Sequence, residues 1–240
     1  MKCLLTSGGT KIRIDMVRSI SNMSKGTFGT KLADEFLRKG WYVDFLAARD
    51  SKTPFGKRVE DGVTVNEWVG CRDSKIRVTP YTTFDEYERE LFRLLEENEY
   101  DVVILAAAVS DYGVVNYVDG KVHSSEDMSI QLKPLPKLIS RVRGKAEGSY
   151  LVGFKLLVNS TQEELNKAMV SSFYSNRLDL IVGNDLRDIK RDNHTLTLLD
   201  KEGTFMTMSK EECVVTLQEF LVGRIINGWK DKHAKEQEGA

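Results

Sequence analysis

Cysteine, proline and histidine are scarce: three, four and three residues in a chain of 240. Cys3, Cys71 and Cys213 lie far apart and include no CxxC pair, which excludes a zinc knuckle or a disulfide framework as the organising device. His123, His194 and His233 are equally dispersed, so no zinc site is expected, and the cysteines read as reduced structural residues. Neither charge sign dominates. With 35 Lys+Arg against 36 Asp+Glu, the formal charge of -1 provides no field for holding nucleic acid or anionic lipid nonspecifically. No apolar run nears the roughly 20 residues of a membrane helix, and no basic-then-apolar leader opens the chain. The expectation is a soluble, cytoplasmic protein with no membrane or nucleic-acid partner. A P-loop is missing too: the nearest GxxxxG, at Gly148 and Gly153, is followed by Phe154. There is no internal repeat.

What is present is concentrated between Leu4 and Lys31. An apolar strand, Cys3 to Leu5, runs into Thr6-Ser7-Gly8-Gly9-Thr10, and a polar connection with Asp15, Arg18 and Asn22 leads to Gly26 and Gly29, which open a helix. Glycine lets the backbone turn with positive φ and lets a ligand approach, while a helix N-terminus offers free N–H groups and positive dipole to an anion. This layout handles phosphate.

The remainder reads as an α/β chain. Residues 29–39 place Leu32, Phe36 and Leu37 on one helix face and Lys31, Asp34, Glu35 and Arg38 on the other, and Gly40 closes the helix. Residues 41–47 suit a second strand, which implies a parallel pair with a right-handed crossover. A loop over 49–62 and a strand over 63–69 follow. Thr83 or Asp85 caps a helix to about Asn98 with Phe84, Tyr87, Leu91 and Leu94 or Leu95 inward. The apolar run 101–106 has the character of a strand buried on both faces. It leads into Ala107-Ala108-Val109-Ser110-Asp111-Tyr112, which brings Asp111 to the same sheet rim as Gly8.

Further along, strands are expected at 128–132, 150–155 and 178–182, a short helix at 137–142, and a helix capped by Thr161 running to about Ser175. A hairpin over 195–208 and a helix over 210–226 complete the chain. The fold class is a Rossmann-like, doubly wound, mainly parallel sheet with a small antiparallel hairpin. Residues 1–227 form one domain, and the charged 228–240 is expected to fray. An NAD(P)-dependent short-chain oxidoreductase is the alternative on fold grounds. Tyr117 and Lys121 have its Tyr–Lys spacing, but Asp119-Gly120 breaks a helix between them, and the glycines do not read GxGxxG.

Six blocks together carry a more specific likeness: Thr6-Ser7-Gly8-Gly9-Thr10; Ile14 to Gly29 with Asp15, Val17, Arg18, Ile20, Ser21, Asn22, Ser24 and Gly26; Ala107 to Tyr112; Lys121-Val122-His123-Ser124-Ser125; Gly153-Phe154-Lys155-Leu156; and Asn184-Asp185. In this order, over nearly the whole chain, they resemble phosphopantothenate-cysteine ligase (phosphopantothenoylcysteine synthetase). With no decarboxylase-like segment ahead of the first block, the resemblance is to the stand-alone form. It implies a ligase of coenzyme A biosynthesis that activates 4'-phosphopantothenate with CTP or ATP, releases pyrophosphate, and joins the acyl nucleotide to L-cysteine, releasing CMP or AMP. It also implies Mg²⁺ and a homodimer in which part of residues 112–133 crosses to the partner.

The resemblance assigns catalytic roles to Lys121 at the pentacoordinate phosphorus, Asn22 at the acyl-nucleotide stage and Arg18 at the substrate phosphate or carboxylate. Asp111 would hold Mg²⁺ or cap a turn. Nucleotide binding falls to Gly8, Gly9, Thr10, Ser24, Gly26, Gly29, Ala107, Ala108, Asp111, Ser124, Ser125, Phe154 and Lys155. Asn184 and Asp185 would line the nucleotide pocket or end a strand. The bifunctional branch has several lysines after the position of Lys121, where this chain has His123, Ser124 and Ser125, and an aspartate where Pro136 is followed by Lys137. These departures leave CTP and ATP both open.

Overall fold

The structure, a computed structural model, describes residues 1–54, 75–123, 128–190 and 194–238. The strand expected over 63–69, Cys71, Ser124 and Ser125 lie outside the described residues.

The first strand, β1 (Lys2–Ser7), is followed by a small hairpin of β2 (Lys11–Arg13) and β3 (Ser19–Ser21), then helix α1 (Thr27–Arg38) and strand β4 (Tyr42–Ala48). Next come β5 (Ile76–Tyr81), α2 (Phe84–Glu97), β6 (Val102–Leu105), β7 (Tyr112–Val114), β8 (Leu132–Pro134) and α3 (Ile139–Val142). The last third holds β9 (Tyr150–Leu157), α4 (Gln162–Ser175), β10 (Leu180–Asp185), α5 (Leu186–Lys190), β11 (Thr195–Asp200), β12 (Phe205–Ser209) and α6 (Leu217–Glu238). Eight strands form one sheet in the order β12-β11-β10-β9-β6-β1-β4-β5. Its pairs are parallel except for β10–β11 and β11–β12. No helix among the described residues is long and apolar enough to cross a membrane.

The continuous apolar runs have a direct structural cause. Alternate residues of a strand face opposite sides, and here both sides are covered. Leu5, Ile104, Val152 and Val182 pack with Leu32, Phe36, Leu221 and Ile225 of α1 and α6. Their neighbours Leu4, Val103, Leu151 and Ile181 pack with Leu91, Leu94, Leu165 and Met169 of α2 and α4. Both α2 and α4 open with capping boxes, Thr83 with Glu86 and Thr161 with Glu164.

Four expectations are corrected. Glu35, assigned to the polar face of α1, is 6% exposed and accepts a hydrogen bond from Arg38 at 2.6 Å. Residues 128–131 are not a strand; β8 begins at Leu132 and pairs antiparallel with β7 outside the main sheet, where the exposed Met128, Ile130 and Leu132 gain no packed face. The helix expected at 210 begins at Leu217. Ser209 and Glu212 do exchange capping-box hydrogen bonds, but they close a single turn, and Thr216 caps α6, accepting from the Glu219 N–H at 3.1 Å.

Finally, the stretch expected to fray is helical to Glu238. It is docked by Trp229, whose ring centroid lies 5.4 Å from that of Trp41, and by Lys232, which donates to Ser149 O at 2.8 Å. Gly228 permits this approach, since a Cβ built there would lie 2.3 Å from the Tyr150 hydroxyl and 2.6 Å from its ring carbon.

That contact yields a prediction whose sign is informative. On a loose helix, Gly228→Ala would stabilise by about 1 kcal/mol through helix propensity. Against the buried Tyr150 ring it is expected instead to destabilise by about 1–3 kcal/mol through overpacking. The urea midpoint distinguishes the two.

Candidate functional site

The exits of β1 and β6 meet at the carboxyl rim of the sheet. Gly8 O accepts from Ala108 N at 2.8 Å, and Ala108 O accepts from Thr10 N at 3.2 Å. Below this crossing, the Thr10 hydroxyl accepts from Ser110 N at 2.8 Å and lies 2.9 Å from the Ser110 hydroxyl. Between Thr10 and Gly26 the chain leaves the rim as the β2–β3 hairpin and returns with Asn22. The Asn22 Nδ2 donates to Ala108 O at 2.8 Å, so residues expected from three separate sequence blocks share one carbonyl.

The glycines act differently from the expectation. At Gly8, with φ 87°, a Cβ would lie 2.6 Å from Ala48 Cβ and 2.9 Å from Ser51 Cβ; at Gly26, with φ 69°, it would lie 2.7 Å from Ser7 Oγ. Their missing side chains admit protein atoms. They draw the N-terminus of α1 against the end of β1, where Ser7 Oγ donates to Gly26 O at 3.1 Å and Thr30 Oγ1 donates to the same carbonyl at 2.9 Å. Unlike α2 and α4, α1 has no capping side chain. Its first-turn N–H groups therefore face the rim without a side-chain acceptor, the arrangement that suits a phosphate. Ser24 is exposed beside it, its Oγ 3.4 Å from Gly26 N.

An aromatic corner lies along the rim at β9 and β10. Phe28 stands edge-on to Phe154 at 6.0 Å and to His194 at 5.2 Å. His194 lies 3.4 Å from Asn184 Nδ2, while Asn184 Oδ1 is buried without a hydrogen-bond partner. Burial, with the charges of Lys31 and Lys210, lowers the His194 pKa against the opposing charge of Asp188. Phe28 and His194 were not among the expected residues; only spatial proximity to Phe154 identifies them. Lys155 is half-buried at the β9 exit.

Lys121 is exposed and has no polar partner among the described residues. Arg18 is more constrained than expected. Its Nη1 donates to Asp15 Oδ2 at 3.1 Å and to Val122 O at 3.2 Å. Burial opposes ionisation of Asp15, but the N–H groups of Val17, Val122 and Arg18 and the Arg18 charge outweigh it, so its pKa falls below the usual value.

Two carboxylates were each expected in one of two roles. Asp111 is exposed and pairs with Lys137, and no cluster of three metal-binding side chains occurs among the described residues. An exposed carboxylate paired with a lysine is not a protein cage for a metal. Asp185 takes the second of its roles: it ends β10, buried, with its carboxylate engaged by protein donors. Its carboxylate accepts from the N–H groups of Asn159 at 3.2 Å, Ser160 at 2.7 Å and Arg187 at 2.8 Å, and from the Ser160 hydroxyl at 2.9 Å. It caps two turns.

A profile described as the DNA/pantothenate metabolism flavoprotein C-terminal domain matches residues 1–223. The chain belongs to this family. The bifunctional coenzyme A biosynthesis protein CoaBC of Thermococcus kodakarensis is 31% identical over 201 residues, covering 84% of this chain and 45% of that protein. The phosphopantothenate-cysteine ligase CAB2 of Saccharomyces cerevisiae is 22% identical over 276 residues, covering 93% and 74%. Against the first of these the chain spans about half the length of its relative. Among solved structures, the DNA/pantothenate metabolism flavoprotein of Streptococcus pneumoniae superposes with a TM-score of 0.77 at 26% identity, covering 96% of this chain and 99% of that one. A Cab2 mutant superposes with a TM-score of 0.81 at 22% identity, covering 98% and 88%, which speaks to the fold. Nothing in the family match supports the oxidoreductase alternative, and residues 117–121 form no helix.

The Asp185 cap gives a prediction with a definite sign. The Ser160 N–H, with the other donors, lowers the Asp185 pKa to about 2, against about 3.9 in an unfolded chain. A lowered folded pKa contributes stability above the unfolded value and loses it as pH falls through the folded one. Asp185→Asn is therefore expected to lower the urea midpoint at pH 7, and the gap from wild type to close between about pH 4 and pH 2. A gap independent of pH would refute the ionic origin.

Proposed function

We propose that the chain is a phosphopantothenate-cysteine ligase of coenzyme A biosynthesis. The carboxylate of 4'-phosphopantothenate attacks the α-phosphorus of CTP or ATP, giving an acyl nucleotide and pyrophosphate. The amine of L-cysteine then attacks the acyl carbon, forms the amide and expels CMP or AMP. The observation that carries this reading is the junction at Ala108. It brings the Gly8 loop, Asn22 and the uncapped start of α1 to one rim, in a family whose named relatives include ligases of this kind.

Attack by an anion on a triphosphate concentrates negative charge, so the site must supply fixed donors and cations. The open first turn of α1 and the adjacent Ser24 suit the phosphates. Lys121, exposed and unpaired among the described residues, supplies the mobile cation for the pentacoordinate phosphorus. Asn22 already uses one donor on Ala108 O and keeps its amide oxygen and second N–H for the acyl phosphate. Arg18 has donors beyond Nη1 for the phosphopantothenate anion. The Phe28, Phe154 and His194 corner offers ring edges and faces to the base. Asp111 would hold a Mg²⁺ carried by the triphosphate, and bound Mg²⁺ would neutralise charge on the phosphate oxygens.

The same reading includes a cytoplasmic homodimer. Met16, Val17, Ile20 and Met23 are exposed at 67%, 65%, 40% and 88%, and Val115, Tyr117 and Leu132 are exposed on the adjoining segment. These segments are joined by the Asp15–Val118 bridge. Exposed apolar side chains on joined segments fit burial against a second copy.

Pyrophosphate release is expected to require phosphopantothenate, a nucleotide and Mg²⁺, and CMP or AMP release to require cysteine as well; side-by-side assays with CTP and ATP decide the base. Asn22→Ala should leave an acyl nucleotide visible by mass spectrometry, and Lys121→Ala should form none. No turnover with either nucleotide would sink the reading, and equal loss of both half-reactions would remove the division of roles. Light scattering is expected to give a dimer, and Met23→Asp with Val115→Asp to shift it toward monomer; a wild-type monomer at assay concentration would count against the assembly.

A further inference from the structure

We infer that Asp15 is a positioning residue for Lys121: with Arg18 it clasps the backbone on both sides of the lysine. The inference rests on the ligase reading, in which Lys121 serves activation, and adds a residue to it.

The clasp is built from four hydrogen bonds between residues 14–18 and residues 118–122 and a fifth within residues 14–18. On the near side of Lys121, Met16 N donates to Gly120 O at 2.9 Å and Val118 N donates to Ile14 O at 3.1 Å. On the far side, Val122 N donates to Asp15 Oδ2 at 3.1 Å, and Val122 O accepts from Arg18 Nη1 at 3.2 Å. The fifth links the clasp internally, Arg18 Nη1 to Asp15 Oδ2 at 3.1 Å. Thus both neighbours of Lys121 are tied to one segment while its own side chain is exposed and without a polar partner among the described residues.

A purely local role for Asp15 would leave half of this unexplained. Closing the turn from Ile14 to Arg18 takes only Oδ1, which accepts from Val17 N at 2.8 Å and Arg18 N at 2.6 Å. Oδ2 reaches a residue 107 positions away. The carboxylate is 1% exposed, so it is closed to substrate and can act only through what it holds. The segment it anchors continues through β3 to Asn22, whose amide is tied to Ala108. One buried carboxylate therefore fixes the spacing between the residue proposed for activation and the residue proposed for the acyl intermediate. A misplacement of about 1 Å is enough to cost on the order of 100-fold in rate.

The test uses the full chain with Asp15→Asn, Lys121→Ala and the double variant. Asp15→Asn is expected to lower the turnover number for pyrophosphate release roughly 10- to 100-fold at saturating substrates, with KM for the nucleotide moving far less. On the Lys121→Ala background it should add little, because residues that act as a unit are not additive. Native-state trypsin cleavage after Lys121, read by mass spectrometry, should rise in Asp15→Asn relative to cleavage after Lys201 in the β11–β12 turn. Unchanged turnover, losses that multiply in the double variant, or an equal rise at both cleavage sites would each overturn the assignment. If Asp15→Asn does not fold, hydrogen exchange in the wild type decides: a protected Val122 amide supports the clasp, and exchange at the rate of an open chain removes it. Wild-type protein that turns over neither nucleotide defeats the ligase reading instead, and the cleavage and exchange measurements still report on the clasp.

Discussion

The close approach of the α1 N-terminus to the end of β1 is the constraint on which the rest depends. Ser7 Oγ sits where Cβ atoms at residues 26 and 29 would stand, 2.7 and 2.6 Å away. Because the helix begins at that point, the 18 residues between Ser7 and Gly26 have no room along the sheet and must leave it sideways. They form the β2–β3 hairpin, turn at the buried Asp15, and return to the rim with Asn22. A short βα turn would have brought phosphate to a helix end and nothing more. The excursion adds side chains.

Most of the scaffold was legible because its physical causes are local or repetitive. Strands buried on both faces must be apolar throughout, and 102–105, 150–154 and 180–182 are. Thr83 and Thr161 carry capping boxes that can be read from four residues. Where the same local signal occurs without tertiary support, it misleads. Ser209 and Glu212 exchange the same bonds but close one turn, with Val214 fully exposed beyond it. The docking of α6 was illegible for the opposite reason: it depends on Trp41, Tyr150 and Ser149, none of them near residues 228–238 in sequence.

The candidate site divides in the same way. Its residue types were readable, and Asn22, Ala108, Thr10 and Gly8 do come together. Their employment was not. The glycines admit Ser7, Ser51 and Ala48, and Asp185 serves two turns. Arg18 is partly engaged by Asp15 and Val122, while Phe28 and His194 join Phe154 through contacts that no spacing announces. A single side chain's chemistry is visible in sequence; what already satisfies it is not.

The bonds that assemble the rim join residues far apart in the chain: Asn22 to Ala108 across 86 positions, Thr10 to Ser110 across 100, Asp15 to Val122 across 107. Contacts of such separation carry the largest loop-closure entropy and form only when β6 has docked beside β1. A nascent or half-folded chain with α1 and β4 in place would therefore own the uncapped helix end without the rim that stands beside it. The rim exists only in a chain long enough to hold both β1 and β6.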